Sequence, residues 1–221
     1  MKNRRVGILG GTFDPVHNGH LAIAEHVRSA IELEQVLLAP ARDPWMKQGR
    51  VRGSAEDRLA MIELAVAGRP GLRASRVDLD RPGPTYTIDT IRDLNRRLGP
   101  DVALYLIVGA DTLEEMADWR EPERIFEGCT VVAVMRRGYP APERLPASHP
   151  GRNALFVDGP VVDVSATEIR RRVGSGESIE GMVPPAVERF IRERGLYRGG
   201  RAEEQARGRG GREEPGKELE T

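Results

Sequence analysis

The sequence predicts an α/β protein built on a doubly wound, mostly parallel sheet in a single domain. Three observations carry that expectation. Short apolar runs alternate with amphipathic segments between residues 5 and 198, the order produced when strands are joined by crossover helices. A glycine pair, Gly10-Gly11, ends the first apolar run and leads into a helical pattern. The 221 residues suit one domain, at about 100 to 200 residues per domain.

Arg5 to Gly10 reads as the first strand, and His17 to Glu32 as a helix with Ile23, Val27, Ala30 and Ile31 on one apolar stripe. Gln35 to Ala41 is a second buried strand. Ser54, followed three residues on by Asp57, has the form of an N-cap for a helix carrying Leu59, Ile62, Leu64 and Val66. Leu72 to Leu79 reads as a third strand running into the turn-rich Arg81-Pro82-Gly83-Pro84. Thr87 to Leu98 is helical, with Ile88, Ile91, Leu94 and Leu98 on one side. Ala103 to Val108, Thr130 to Met135 and Ala154 to Val157 complete the strands. Ser165-Ala166-Thr167-Glu168 has the capping-box form and opens a short helix that Gly174 is expected to close; Pro185 to Arg194, followed by Gly195, is the last helix. Ligands of such sheets bind beyond the carboxyl ends of the strands.

Composition removes several classes of function. No run of about 18 apolar residues exists to span a membrane, and the start of the chain lacks the apolar core of a signal peptide. A cytoplasmic protein is expected. The single cysteine, Cys129, cannot form an internal disulfide or build a cysteine-rich metal site, and reads as a small buried hydrophobe. With 34 basic and 34 acidic residues there is no overall pull toward nucleic acid or acidic membranes, so any anionic ligand is held locally. Residues 199–221 hold almost no apolar residue and balanced charge, and read as a disordered polar tail; the folded domain is expected to span residues 1–198.

Chemistry concentrates in residues 10–20, GGTFDPVHNGH. Two glycines allow a tight turn and close backbone approach to a ligand. His17 and His20 lie three apart at a helix start, where backbone N–H groups already favour phosphate. One histidine near a helix cap is ordinary; this whole string is not. It resembles the nucleotidyltransferases that carry His-x-Gly-His after a glycine-rich strand end, and in its full length it is similar to the nicotinate-nucleotide adenylyltransferase family. The short His-x-Gly-His alone is shared with class I aminoacyl-tRNA synthetases.

Further stretches carry the same resemblance. Ser165-Ala166-Thr167-Glu168-Ile169-Arg170 is similar to the family's Ser-x-Thr-x-Ile-Arg, and reads physically as a second anion site: helix N–H groups, two hydroxyls and a guanidinium. Pro84-Thr85-Tyr86-Thr87 looks like the family's pyridine nucleotide segment. Gly109-Ala110-Asp111 matches Gly-x-Asp, whose carboxylate can bond ribose hydroxyls. Asp118-Trp119-Arg120 stands where the family stacks a tryptophan on the pyridine ring, although a core anchor is the equal alternative for a lone tryptophan. Gly195-Leu196-Tyr197-Arg198 looks like the family's terminus. Two departures occur: Asp43-Pro44-Trp45-Met46-Lys47 keeps the lysine of Pro-Pro-His-Lys without its histidine, and Arg136-Arg137-Gly138-Tyr139 replaces Arg-Pro-Gly-Tyr. Asp14, before a proline, can serve the turn alone or help indirectly.

The resemblance implies attack by the phosphate of nicotinate mononucleotide on the α-phosphorus of ATP, yielding nicotinate adenine dinucleotide and pyrophosphate. The nucleophile is already anionic, so the site must align two anions and neutralise charge. His17, His20, Lys47 and Arg170 are the implied catalytic set. Gly10, Gly11, Phe13, His17, His20, Gly109, Asp111, Ser165, Thr167 and Arg170 are the implied ATP contacts. Thr12, Lys47, Thr85, Tyr86, Trp119 and Arg136 are those for the mononucleotide. Mg²⁺ is expected with ATP, held by phosphates and water, and there is no dedicated metal-ligand motif. Nucleic acid and membrane partners are not expected, and a homo-oligomer is compatible with the sequence. Alternatives are an enzyme acting on nicotinamide mononucleotide or phosphopantetheine, and a pyridine-nucleotide sensor without turnover.

Overall fold

Parallel pairing organises the chain from its first strand. The computed structural model describes residues 4–44, 51–135, 145–146 and 149–198. Strand β1 (Arg4–Gly11) pairs in parallel with β2 (Gln35–Pro40) on one side and β4 (Val102–Gly109) on the other. Beyond them lie β3 (Leu72–Ala74), β5 (Thr130–Met135) and β6 (Leu155–Asp158), giving the order β3-β2-β1-β4-β5-β6 with every pairing parallel. The chain moves outward one way from β1 and then the other way from β4, so the order reverses between these two strands. A crevice opens at that reversal, beyond their carboxyl ends.

Helices cover both faces. On one, α1 (Asn18–Ala30), α2 (Ala55–Val66), α6 (Ala166–Ser175) and α7 (Pro185–Glu193) bury Leu21, Val27, Ile62, Ile169, Val187 and Ile191 against the sheet. On the other, α3 (Thr87–Leu98), α4 (Ala110–Glu115) and α5 (Pro122–Gly128) bury Ile88, Ile91, Leu113 and Ile125. The central strands β1 and β4 are therefore apolar on both faces, as Ile8 and Leu9 in β1 and Leu106 and Ile107 in β4 show.

Several expected boundaries move. The third strand ends at Ala74 rather than Leu79, because the chain leaves the sheet edge in a turn that buries the Asp78 carboxylate against Thr90 and Arg81. Helix α6 continues through Gly174 and closes at Gly176, which takes the left-handed conformation with φ 74°. Leu64 faces outward at 37% exposure; Met61 and Ala65 fill the inner face instead. The last strand sits one residue later than expected, at Leu155–Asp158, and as an edge strand leaves Leu155 exposed. Helices α4 and α5 and the single 3₁₀ turn between them, Met116–Asp118, are too short to give a periodic signal.

Candidate active site

The residues of GGTFDPVHNGH run from the end of β1 over the crevice into α1. A Cβ placed on Gly10 would meet nothing within 4 Å, which leaves that backbone open to approach. Gly11 differs: a Cβ there would lie 3.2 Å from the Phe13 ring. Phe13 is buried, has φ 50°, and sets its ring edge-on against His20 at 4.8 Å between centroids. His17 is the extended residue capping α1, and its ring stacks on that of His20 at 3.7 Å. The Gly of this His-x-Gly-His has a steric reason, since a Cβ on Gly19 would come within 3.0 Å of His17 Nδ1.

The protonation of this pair follows from its surroundings. The His17 backbone N–H donates to His20 Nδ1 at 3.3 Å, which makes that nitrogen an acceptor and puts the proton on Nε2. Burial lowers the His17 pKa to about 4, so its imidazole is uncharged at neutral pH. Its Nδ1 is buried with no hydrogen-bond partner among the described residues. Two imidazolium charges 3.7 Å apart would repel by about 4 kcal/mol even at an effective dielectric of about 20, which adds to the cost of charging His17 beside a charged neighbour.

The second motif arrives from the other end of the chain. Ser165 caps α6, its Oγ accepting from the Glu168 N–H at 3.2 Å. One turn on, the Arg170 guanidinium donates to the Asp14 carbonyl at 2.7 Å and reaches Thr167 Oγ1 at 3.4 Å. Val162, in the segment leading to α6, lies over Gly19. The two helix starts thus meet at the crevice with one guanidinium between them. Across the switch point, Gly109 ends β4 and Asp111 stands in the first turn of α4, with its Oδ1 accepting from the Thr112 N–H at 3.0 Å.

Residues 8–172 match the Cytidylyltransferase-like family. A "probable nicotinate-nucleotide adenylyltransferase" of Saccharopolyspora erythraea is 43% identical over 199 residues, covering 90% of this chain and 92% of its own length. One of the same name from Streptomyces coelicolor is 41% identical over 191 residues, covering 86% and 100%. The chain belongs to the nicotinate-nucleotide adenylyltransferase family. A Plasmodium falciparum nicotinic acid mononucleotide adenylyltransferase, complexed with NaAD, shares the fold at a TM-score of 0.72 and 17% identity, covering 88% of this chain and 97% of that one.

The segments resembling the family's pyridine nucleotide site also come together. Thr85 Oγ1 accepts from the backbone N–H groups of Arg42 and Asp43 at 3.0 and 3.3 Å, joining its segment to the end of β2. Arg81, bonded to Asp78 and Asp93 at 2.8 Å each, fixes the turn before it on α3. The Arg120 guanidinium stands 4.8 Å from the Tyr86 ring centre, bringing Tyr86 beside the Trp119 segment. Trp119 itself packs against the second core cluster, and its Nε1 is buried without a hydrogen-bond partner among the described residues. Lys47 and Arg136 lie outside the described residues.

Three residues lie behind the site: Asp14, which the sequence offered for the turn alone or for indirect help, and Arg58 and Tyr197, which it gave no position there. The Asp14 carboxylate accepts from the N–H groups of Arg52 and Gly53 and from the Tyr197 hydroxyl, all within 2.9 Å. Arg58, 1% exposed, donates to the carbonyls of Gly53, Thr12, Ala41 and Arg42. One signal for Arg58 was present: it shares the inner stripe of α2 with Ile62, Ala65 and Val66 at positions i+4, i+7 and i+8. Tyr197 had only its place in the family's terminal string.

Proposed function

We propose that the protein transfers the adenylyl group of MgATP to nicotinate mononucleotide, releasing pyrophosphate and forming nicotinate adenine dinucleotide. The observation that carries this reading is the meeting of the two helix starts, with His17 and His20 on one and Ser165, Thr167 and Arg170 on the other. Relatives at 41 to 43% identity over most of the chain bear the same activity in their names.

The phosphate of the mononucleotide attacks the α-phosphorus in line, and pyrophosphate leaves. Both substrates are anions, so the protein's task is orientation and charge compensation rather than proton removal. The starts of α1 and α6 present the positive ends of their helix dipoles to phosphate oxygens. Arg170 supplies a permanent cation and a two-pronged donor. His20, with its proton on Nε2, donates a hydrogen bond to a phosphate oxygen as charge develops there. His17 acts as a neutral partner that orients His20, or as a cation only when the phosphates raise its proton affinity. Lys47 and Arg136 add positive charge on the mononucleotide side, where Thr12, Thr85, Tyr86 and Trp119 also serve. Gly10, Gly11, Phe13, Gly109 and Asp111 shape the ATP side. Mg²⁺ enters with ATP as part of the substrate. Among the described residues no helix is long and apolar enough to cross a membrane. The water-soluble, phosphorylated substrates of the proposed reaction fit a cytoplasmic location.

The test is incubation of purified protein with MgATP and either the acid or the amide mononucleotide, following pyrophosphate and dinucleotide together. The expected result is dinucleotide from the acid at the higher kcat/KM. Product from the amide alone would reassign the substrate, and binding without product from either would make the chain a sensor.

A further inference from the structure

Among the described residues, the two most deeply buried charged side chains, Asp14 and Arg58, lie in one knot behind the turn that leads into α1. Asp14, 3% exposed, accepts from Arg52 N at 2.8 Å, Gly53 N at 2.9 Å and Tyr197 Oη at 2.8 Å. Arg58 spans the same knot, donating to Thr12 O at 2.8 Å, Ala41 O at 2.7 Å, and Gly53 O and Arg42 O at 3.2 Å. Gly53 sits at the centre, where a Cβ would come 2.8 Å from Asp14 Oδ1, 3.3 Å from Arg58 and 3.4 Å from the Tyr197 hydroxyl. Tyr197 reaches this place from 183 residues away, with its backbone at φ 64°, a conformation a tyrosine adopts only under constraint.

The front of the knot is the site. Asp14 turns its carboxylate inward while its own carbonyl receives Arg170 at 2.7 Å, and Arg58 grips the carbonyl of Thr12 in the same turn. We propose that Tyr197 and Arg58 are positioning residues for ATP: by fixing Asp14 and Thr12 from behind, they hold the turn and the Arg170 guanidinium in the geometry that receives the phosphates. The proposal rests on the adenylyl-transfer reading for its kinetic test, but not for its binding test.

Tyr197→Phe removes one hydroxyl and keeps the ring in its packing. Its kcat/KM for MgATP is expected to fall about tenfold through a higher MgATP KM, with the mononucleotide KM within about twofold of wild type. Loss of folded protein would instead lower kcat alone and leave both KM values unchanged. In an Asp14→Ala background, which removes the acceptor of the Tyr197 hydroxyl, the Tyr197→Phe change should have little further effect, because the two residues act through one hydrogen bond. Arg58→Lys, which keeps the charge but cannot reach four carbonyls, should move MgATP in the same direction. Unchanged MgATP KM in Tyr197→Phe, or full additivity with Asp14→Ala, overturns the proposal. If the wild type makes no dinucleotide, the function reading fails, and calorimetric titration with MgATP decides this one separately: a roughly tenfold weaker Kd in Tyr197→Phe supports it and an equal Kd ends it.

Discussion

His17 and His20 meet ring to ring at the start of α1, and their different settings give them different parts. His20 is held by the His17 N–H on one nitrogen and by the Phe13 ring edge, so it is oriented before any ligand arrives. Preorganised donors of this kind are worth most where charge develops in the transition state. His20→Ala is therefore expected to lower kcat on the order of a hundredfold with little change in thermal stability. Steady-state kinetics on folded protein checks this, and activity within about threefold of wild type removes His20 from the catalytic set. His17 makes a different prediction. Its pKa sits at about 4 because burial disfavours the charged ring, against 6.5 when unfolded. Above pH 6.5 both states are neutral and this residue contributes no pH dependence. As pH falls through the window between those values, the unfolded state takes up the proton and the native state does not, so stability declines by about 3 kcal/mol in total. Urea unfolding of wild type and His17→Gln across that window should give the steeper decline in wild type; parallel curves would show that His17 is not buried neutral.

Helix α6 shows how an element can serve structure and site through the same atoms. Ser165 Oγ satisfies the Glu168 N–H, and Glu168 in turn pairs with Arg171 and Arg172 on the outer face. Ser165→Ala should cost about 1 kcal/mol as a lost cap, measured by denaturant unfolding, and should also weaken MgATP binding if the same hydroxyl meets phosphate. Stability loss with MgATP affinity intact would leave Ser165 as a cap alone. This element was legible in the sequence because its chemistry is local: cap, hydroxyls and Arg170 fall within six residues. The same holds for residues 10–20 and for the cap of α2 at Ser54, whose Oγ accepts from the Asp57 N–H. The end of β3 was not legible, because a carboxylate at Asp78 meets Thr90 and Arg81 only after α3 is in place. The sequence left Trp119 between a ring-stacking role and a core anchor, because its packing against the core depends on two helices too short to announce themselves. The Asp14–Arg58–Tyr197 knot is the clearest such case, since its members come from three distant parts of the chain.

On the scale of the whole molecule, charge and closure are both settled far from the surface average. The chain is neutral, with 34 basic and 34 acidic residues, so attraction for two anionic substrates rests on local features such as the helix starts and the Arg170 guanidinium beside them rather than on an overall field. Closure depends on the same region. Tyr197 is 6% exposed within the larger core cluster, Leu196 packs against that cluster, and Ile191 N-terminal to them anchors α7 to it. The last apolar side chains among the described residues therefore lie immediately before residues 199–221, which fall outside the described residues and whose composition offers almost nothing to bury. A chain ending at Arg198 is expected to keep its thermal midpoint within about 2 °C of the full chain and to keep its activity. Ending instead at Gly195 deletes a buried aromatic worth about 3 to 5 kcal/mol, which in a protein of this size lowers the midpoint by roughly 10 °C. It also frees the Asp14 carboxylate from its hydroxyl donor, so the surviving folded protein should bind MgATP less well. Calorimetric melting and MgATP titration of the two truncations separate these effects, and equal midpoints for both would mean that the end of the chain closes nothing.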